Sequence, residues 1–215
     1  DSSYSRTRFS ILIENGKDTL LIDTSPDMRL QLIRAGVSSV DGVVWTHPHY
    51  DHFAGFGEFY RIQDNVEVYS IKPTLDYILN YLYFISHQRN EIELFIPFEL
   101  CGMEFTLFDV HHPSFGISTG MRITDGDVDV VISGDTSINI PEKSLGLMDS
   151  PDLLIADALG PPGFKINKHM NAEDALLLAK RCRAEKVVLT HISHFYTLEE
   201  MDSYPLGHDG MVLRI

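Results

Sequence analysis

Short apolar runs alternate with helix-length segments along this chain, and one run after another stops at a histidine or an aspartate. Such a pattern demands an α/β protein, because buried strands need helices over their faces and polar residues must gather where the strands end. Thr19 to Asp23 reads as a strand, followed by a helix from Pro26 to Ala35 that Gly36 closes. Val40 to Trp45 is a second strand and runs directly into His47-Pro48-His49-Tyr50-Asp51-His52. Val66 to Ile71 reads as a strand and Pro73 to Ile85 as a helix. That helix carries an apolar excess suited to a lid or a subunit contact, and its Tyr and Phe residues are read as core rather than as a substrate platform. His87 is read as an ordinary residue in a helix-rich stretch.

The second half repeats the arrangement. Met103 to Val110 alternates as a half-buried strand does and is followed by His111 and His112. Asp127 to Ser133 runs into Gly134-Asp135-Thr136, and Asp152 to Asp157 ends on a carboxylate. Asn171, with Asp174 three residues on, caps a helix through Ala184. Lys186 to Thr190 delivers His191, and the Asp209-Gly210 turn leads into a last strand from Met211 to Ile215.

At 215 residues the chain suits one domain over residues 1–215, with N-terminal sequence expected to be missing before Asp1. No apolar run approaches the ~20 residues of a membrane span and no leader opens the chain, so a cytoplasmic protein without membrane attachment is expected. Cys101 and Cys182 are too few and too far apart for a disulfide framework and are read as reduced core residues. The net charge of −14 disfavours nucleic acid as a partner, whereas a small anionic substrate is compatible once divalent cations offset some carboxylates.

The densest chemistry lies in His47-x-His49-x-Asp51-His52. Residues two apart in an extended segment point the same way, so His47 and His49 can grip one ion while Asp51 and His52 diverge towards a second. His112, Asp135 and His191, each after a strand, are the further ligands such a site needs. Asp135 offers two oxygens able to bridge two cations, although each of these residues taken singly is also an ordinary turn residue.

With those residues in view, the sequence resembles the metallo-β-lactamase superfamily. His47-Pro48-His49-Tyr50-Asp51-His52 matches its HxHxDH motif, and the family's downstream His, Asp and His look like His112, Asp135 and His191. The resemblance runs from Phe9 to the end and implies a four-layered αβ/βα sandwich with the site at one edge. His111 competes with His112, which is preferred because Val110-His111-His112 looks like the family's V-x-H strand end.

Within the superfamily the likeness is to the cyclic phosphodiesterases of phosphonate metabolism and their tRNase Z relatives. It rests on Arg6 and Arg8 before Phe9-Ser10, Leu21-Ile22-Asp23-Thr24, Ser133-Gly134-Asp135-Thr136, Lys168-His169-Met170, Leu189-Thr190-His191-Ile192-Ser193-His194 and Asp209-Gly210-Met211. The cysteine-rich zinc motif of the phosphonate enzymes is absent from this sequence, and the long arm of tRNase Z is not evident. RNA cleavage therefore ranks below hydrolysis of a small cyclic phosphate or nucleotide-like phosphodiester.

The resemblance implies His47, His49 and His112 on a first metal, Asp51, His52 and His191 on a second, and Asp135 shared. Zinc or manganese is expected, with a water between the ions activated as nucleophile. Asp51 is thus counted among the catalytic residues too, and His169 is expected to protonate the departing oxygen, its alternative being a loop histidine that fixes a helix start. Asp23 is expected either to orient a ligand imidazole or to cap the helix after Pro26, and Asp209 either to support the site or to shape its turn. His194 and His208 are expected to line the pocket. A homodimer is one expected assembly. Other readings of the metal pair are a thioester, lactone or lactam hydrolase and a di-iron redox or sensor protein.

Overall fold

Two sheets, one in each of two units of the chain, carry every strand among the described residues, which are 6–113 and 116–215 of this computed structural model. The start at Asp1 lies outside them. The α/β class with two sheets and flanking helices is as the sequence indicates.

The unit Thr7–Glu93 contains β1 (Ile11–Asn15), β2 (Asp18–Ile22), β3 (Gly42–Val44), β4 (Val66–Ser70) and β5 (His87–Glu91), paired in that order. β1 and β2 form an antiparallel hairpin, and β2 through β5 run parallel. Parallel strands have helices packed on their faces, which is why β3 is apolar along its whole length and wholly buried. The helices are α1 (Met28–Ala35), α2 (Tyr50–Phe53), a 3-10 segment Ala54–Arg61 and α3 (Lys72–Tyr81). α1 ends where Gly36 takes a left-handed φ of 72°. The core gathers Leu21, Val43, Trp45, Phe53, Phe56, Phe59, Val68, Leu75 and Ile78. Trp45 meets Phe56 edge-on at 4.8 Å, and its indole N–H donates to Thr24 Oγ1 at 3.0 Å, so the ring is buried without an unmet donor.

Three expectations need correction here. α3 stops at Tyr81 rather than Ile85. Leu75, Ile78, Leu79 and Leu82 fall on the buried stripe, which leaves Tyr77, Tyr81, Tyr83 and Phe84 exposed rather than in the core. His87 opens strand β5, with Nδ1 2.7 Å from the Ile85 carbonyl.

The unit Leu94–Ile215, with Arg6, contains β6 (Phe98–Leu100), β7 (Met103–Val110), β8 (Ser118–Thr124), β9 (Asp129–Ile132), β10 (Leu153–Asp157) and β11 (Lys186–Thr190). The order across the sheet is β11-β10-β9-β8-β7-β6, antiparallel from β6 to β9 and parallel from β9 to β11. β7, β9, β10 and β11 therefore all point the same way and end at one edge. Its helices are α4 (Glu142–Leu147), α5 (Ala172–Arg181) and α6 (Leu198–Ser203), over a core of Phe108, Val131, Leu154, Met170, Leu178 and Leu189. Asn171 caps α5 by accepting from Asp174 N at 2.9 Å, and Thr197 with Glu200 forms a reciprocal capping box on α6.

The strand expected over Met211 to Ile215 does not form, and these residues are exposed. A strand is stable only with a paired neighbour, and no strand pairing reaches this segment among the described residues. Also among the described residues, no helix is long and apolar enough to cross a membrane.

Candidate metal centre

In the unit Thr7–Glu93 the chemistry hangs from the carboxyl ends of two adjacent parallel strands. Asp23 follows β2 in a left-handed conformation (φ 60°), and Thr46-His47 follow β3. The extended reading of the HxHxDH motif holds for its first half. Its second half is helical, since His49 is the N-cap of α2 and His52 N donates to His49 O at 2.9 Å. One helical turn, rather than divergence from a strand, thus sets Asp51 and His52, with Asp51 Oδ2 3.6 Å from His52 Nε2.

The Asp23 carboxylate is fully buried and accepts from Thr46 N at 2.8 Å, Thr46 Oγ1 at 2.7 Å and His52 Nδ1 at 2.7 Å. Because the Thr46 hydroxyl gives its proton to Asp23, His47 Nδ1 must be the donor in its 2.9 Å contact with that hydroxyl. One buried carboxylate thus fixes the tautomers of two imidazoles, leaving Nε2 of both His47 and His52 as donors of lone pairs. Asp23 does not cap α1, whose N-cap is Asp27. His47 Nε2 and His49 Nδ1 lie 2.9 Å apart, within reach of a single cation. Gly55 locks this arrangement from below: a Cβ there would lie 1.9 Å from the Ser25 carbonyl, next to the Asp23 loop.

In the unit Leu94–Ile215 the side chains collect at the edge where β7, β9, β10 and β11 end. His112, buried, donates from Nδ1 to the Lys168 carbonyl at 2.7 Å, whereas His111 is exposed and pairs with Ser137 Oγ at 2.8 Å. Burial pushes the His112 imidazole below its ordinary pKa, against the opposing pull of Asp135. Burial thus favours the neutral form, the one a metal ligand requires. Asp135 is carried on a left-handed Gly134 (φ 60°) whose added Cβ would strike the Thr119 carbonyl at 2.3 Å. Only glycine fits that turn.

Asp157 ends β10 and is buried. Its Oδ2 accepts from Thr136 N at 3.0 Å and from His169 Nδ1 at 2.8 Å, while Oδ1 has no hydrogen-bond partner among the described residues. His169 stacks on His191 at 5.0 Å and 13°, and stands edge-on to His112 at 4.7 Å. His191, itself at φ 60°, places Nε2 3.5 Å from Asp135 Oδ2 and Nδ1 3.7 Å from Asp157 Oδ1. Asp135, Asp157, His169 and His191 present ligand atoms within 4.8 Å of one another. This group does not include His194, His208 or Asp209. His194 lies against Phe195, and His208 is exposed with Nδ1 near the Asp209 carbonyl.

The donors fit a divalent cation. The His52 and His112 imidazoles each donate from Nδ1 to an oxygen, which puts the lone pair on Nε2, and Asp157 keeps a buried carboxylate oxygen with no hydrogen bond among the described residues, as a cation would require. Sequence reasoning overlooked Thr46 and assigned Asp157 no role. The only signal for the latter was a carboxylate at the end of a buried strand.

Comparison with known proteins points the same way. The chain is 26% identical to an octanoyltransferase of Porphyromonas gingivalis over 98% of its own length but only 45% of that protein, so it spans less than half of that relative. It is 26% identical to the probable metallo-hydrolase YhfI of Bacillus subtilis, covering 86% of this chain and 79% of that one. Among solved structures, a diphosphatase of the PhnP family superposes with a TM-score of 0.87 at 26% identity over 100% of this chain and 87% of the other. Human tRNase Z, short form, does so with a TM-score of 0.81 at 21% identity, over 100% and 95%, which shows a shared fold. The sequence profile of the beta-lactamase superfamily domain matches residues 18–192, and with the histidine and aspartate geometry above it establishes that the chain belongs to the metallo-β-lactamase superfamily of metal-dependent hydrolases.

Proposed function

We propose that the protein is a phosphodiesterase acting on a small cyclic phosphate or nucleotide-like phosphodiester. His47, His49, Asp51, His52, His112, Asp135 and His191 would supply the ligands for two divalent cations, zinc or manganese. Lewis acidity towards phosphoryl oxygens is the chemistry such cations supply. The observation that carries the reading is the buried 2.8 Å hydrogen bond from His169 Nδ1 to Asp157. It fixes the tautomer of an imidazole outside the HxHxDH motif and leaves Nε2 with a lone pair that can take up a proton and pass it on. A phosphodiester with an alkoxide leaving group needs such a proton donor. Similarity to a PhnP-family diphosphatase over the whole chain supports phosphoryl chemistry.

Asp135 Oδ2, 3.9 Å from His169 Nδ1, keeps a second carboxylate beside that ring. Asp23, through Thr46 and directly, holds His47 and His52 in the donor orientation. The test is an assay of bis(p-nitrophenyl) phosphate, cyclic nucleotides and cyclic ribose phosphates beside short RNAs, thioesters and lactams, using metal-loaded protein. Turnover of the small phosphodiesters alone is expected; turnover of a thioester or lactam without any phosphodiester would overturn the reading.

A further inference from the structure

Within the unit Leu94–Ile215, a ladder of rings stands on the two loops that leave β10 and β11. Phe164 and Phe195 stack at 5.2 Å and 25°, and His194 lies against Phe195 at 4.3 Å. Phe195 is 53% exposed, so the ladder contributes little to the core. It is nevertheless firmly built. Phe164 sits on Gly160, where an added Cβ would come within 2.6 Å of its ring, and its carbonyl accepts from Asn171 Nδ2 at 2.9 Å. Tyr196 Oη lies 2.8 and 2.6 Å from the carbonyl oxygens of Ala158 and Gly160, and Ser193 N donates to Leu159 O at 3.2 Å, which ties the two loops together.

The first of these loops follows Asp157, the last residue of β10, and ends at His169, and the second begins at His191. They are also the wrong sign for this chain. Residues 158–169 contain Lys165 and Lys168 and no carboxylate, although Gly163 N donates to Glu173 at 3.0 Å, and residues 191–197 contain no carboxylate, in a protein of net charge −14. An exposed ring stack with local positive charge next to a phosphoryl-directed cluster matches one ligand chemistry, a planar base joined to a phosphate.

We propose that the Phe164–Phe195–His194 ladder seats the base of a nucleotide, making this a nucleotide-directed enzyme rather than one for plain sugar phosphates. The proposal rests on the phosphodiester reading for its turnover arm only. Base stacking on an aromatic side chain predicts that Phe195→Leu lowers the ratio of kcat/KM for thymidine 5′-(p-nitrophenyl phosphate) over methyl p-nitrophenyl phosphate by about five- to a hundred-fold, whereas Phe195→Trp preserves it. An unchanged ratio in Phe195→Leu would overturn the proposal. If the protein hydrolyses neither ester, the phosphodiester reading fails separately, and calorimetry then decides the ladder. AMP should bind more tightly than ribose 5-phosphate, with the difference lost in Phe195→Leu; equal binding of the two by the unaltered protein overturns the seat.

Discussion

At the scale of single residues, the chemistry depends on who holds each imidazole. Asp23 orients His52 directly and His47 through Thr46, so its loss should loosen two ligands together. Asp23→Ala is expected to weaken metal binding by about 10- to 100-fold, read by competition with a chelating dye. His169 has a different signature. If its Nε2 delivers a proton, His169→Ala should keep its metal content by elemental analysis and lose about 10²- to 10⁴-fold in turnover on an alkyl phosphodiester, with a much smaller loss on a p-nitrophenyl ester. Because His169 also lies within ligand distance of Asp135, Asp157 and His191, loss of a metal equivalent in that variant would instead make it a ligand. The sequence pointed to the candidate ligands because they cluster in a six-residue motif and after strands. It hid Thr46 and Asp157 because their roles come from pairings across long stretches of chain, Thr46 with Asp23 and Asp157 with His169.

At the scale of elements, legibility followed apolar periodicity. β7 and β11 have the bounds their sequences indicate, because alternating or continuous apolar residues mark them. β5, whose sequence is His-Gln-Arg-Asn-Glu, is an edge strand with no apolar signal, and β8, with Gly120 among Ser and Thr residues, has no continuous apolar run to mark it. Met211 to Ile215 erred in the opposite direction, since a β-prone composition without a neighbour leaves only exposed chain. α5 supplies a testable consequence at its C-terminus. Burial pushes the Cys182 thiol from 9.0 up to about 11, so the folded chain keeps a proton that the unfolded chain releases. The associated stability is present below pH ~9 and is lost as pH rises towards about 11. Urea unfolding midpoints should therefore fall less between pH ~8.5 and ~10.5 in Cys182→Ala than in the unaltered protein, once their difference at pH ~7 is subtracted.

At the scale of the whole molecule, a charge of −14 is self-repulsive, and cations that bind only the folded chain relieve it while stabilising by mass action. Chelation should lower the Tm, and readdition of zinc or manganese should restore it in a concentration-dependent way; a Tm indifferent to both would remove the metal ligands from their assigned roles. In each sheet the side chains that do chemistry lie on loops at the carboxyl ends of similarly directed strands, after β2 and β3 in one and after β7, β9, β10 and β11 in the other. The hydrogen-bonded ladders that set strand register end before those loops begin. Loop length and composition there can change without shifting a single strand pair, so substrate preference can be altered while the frame stays intact.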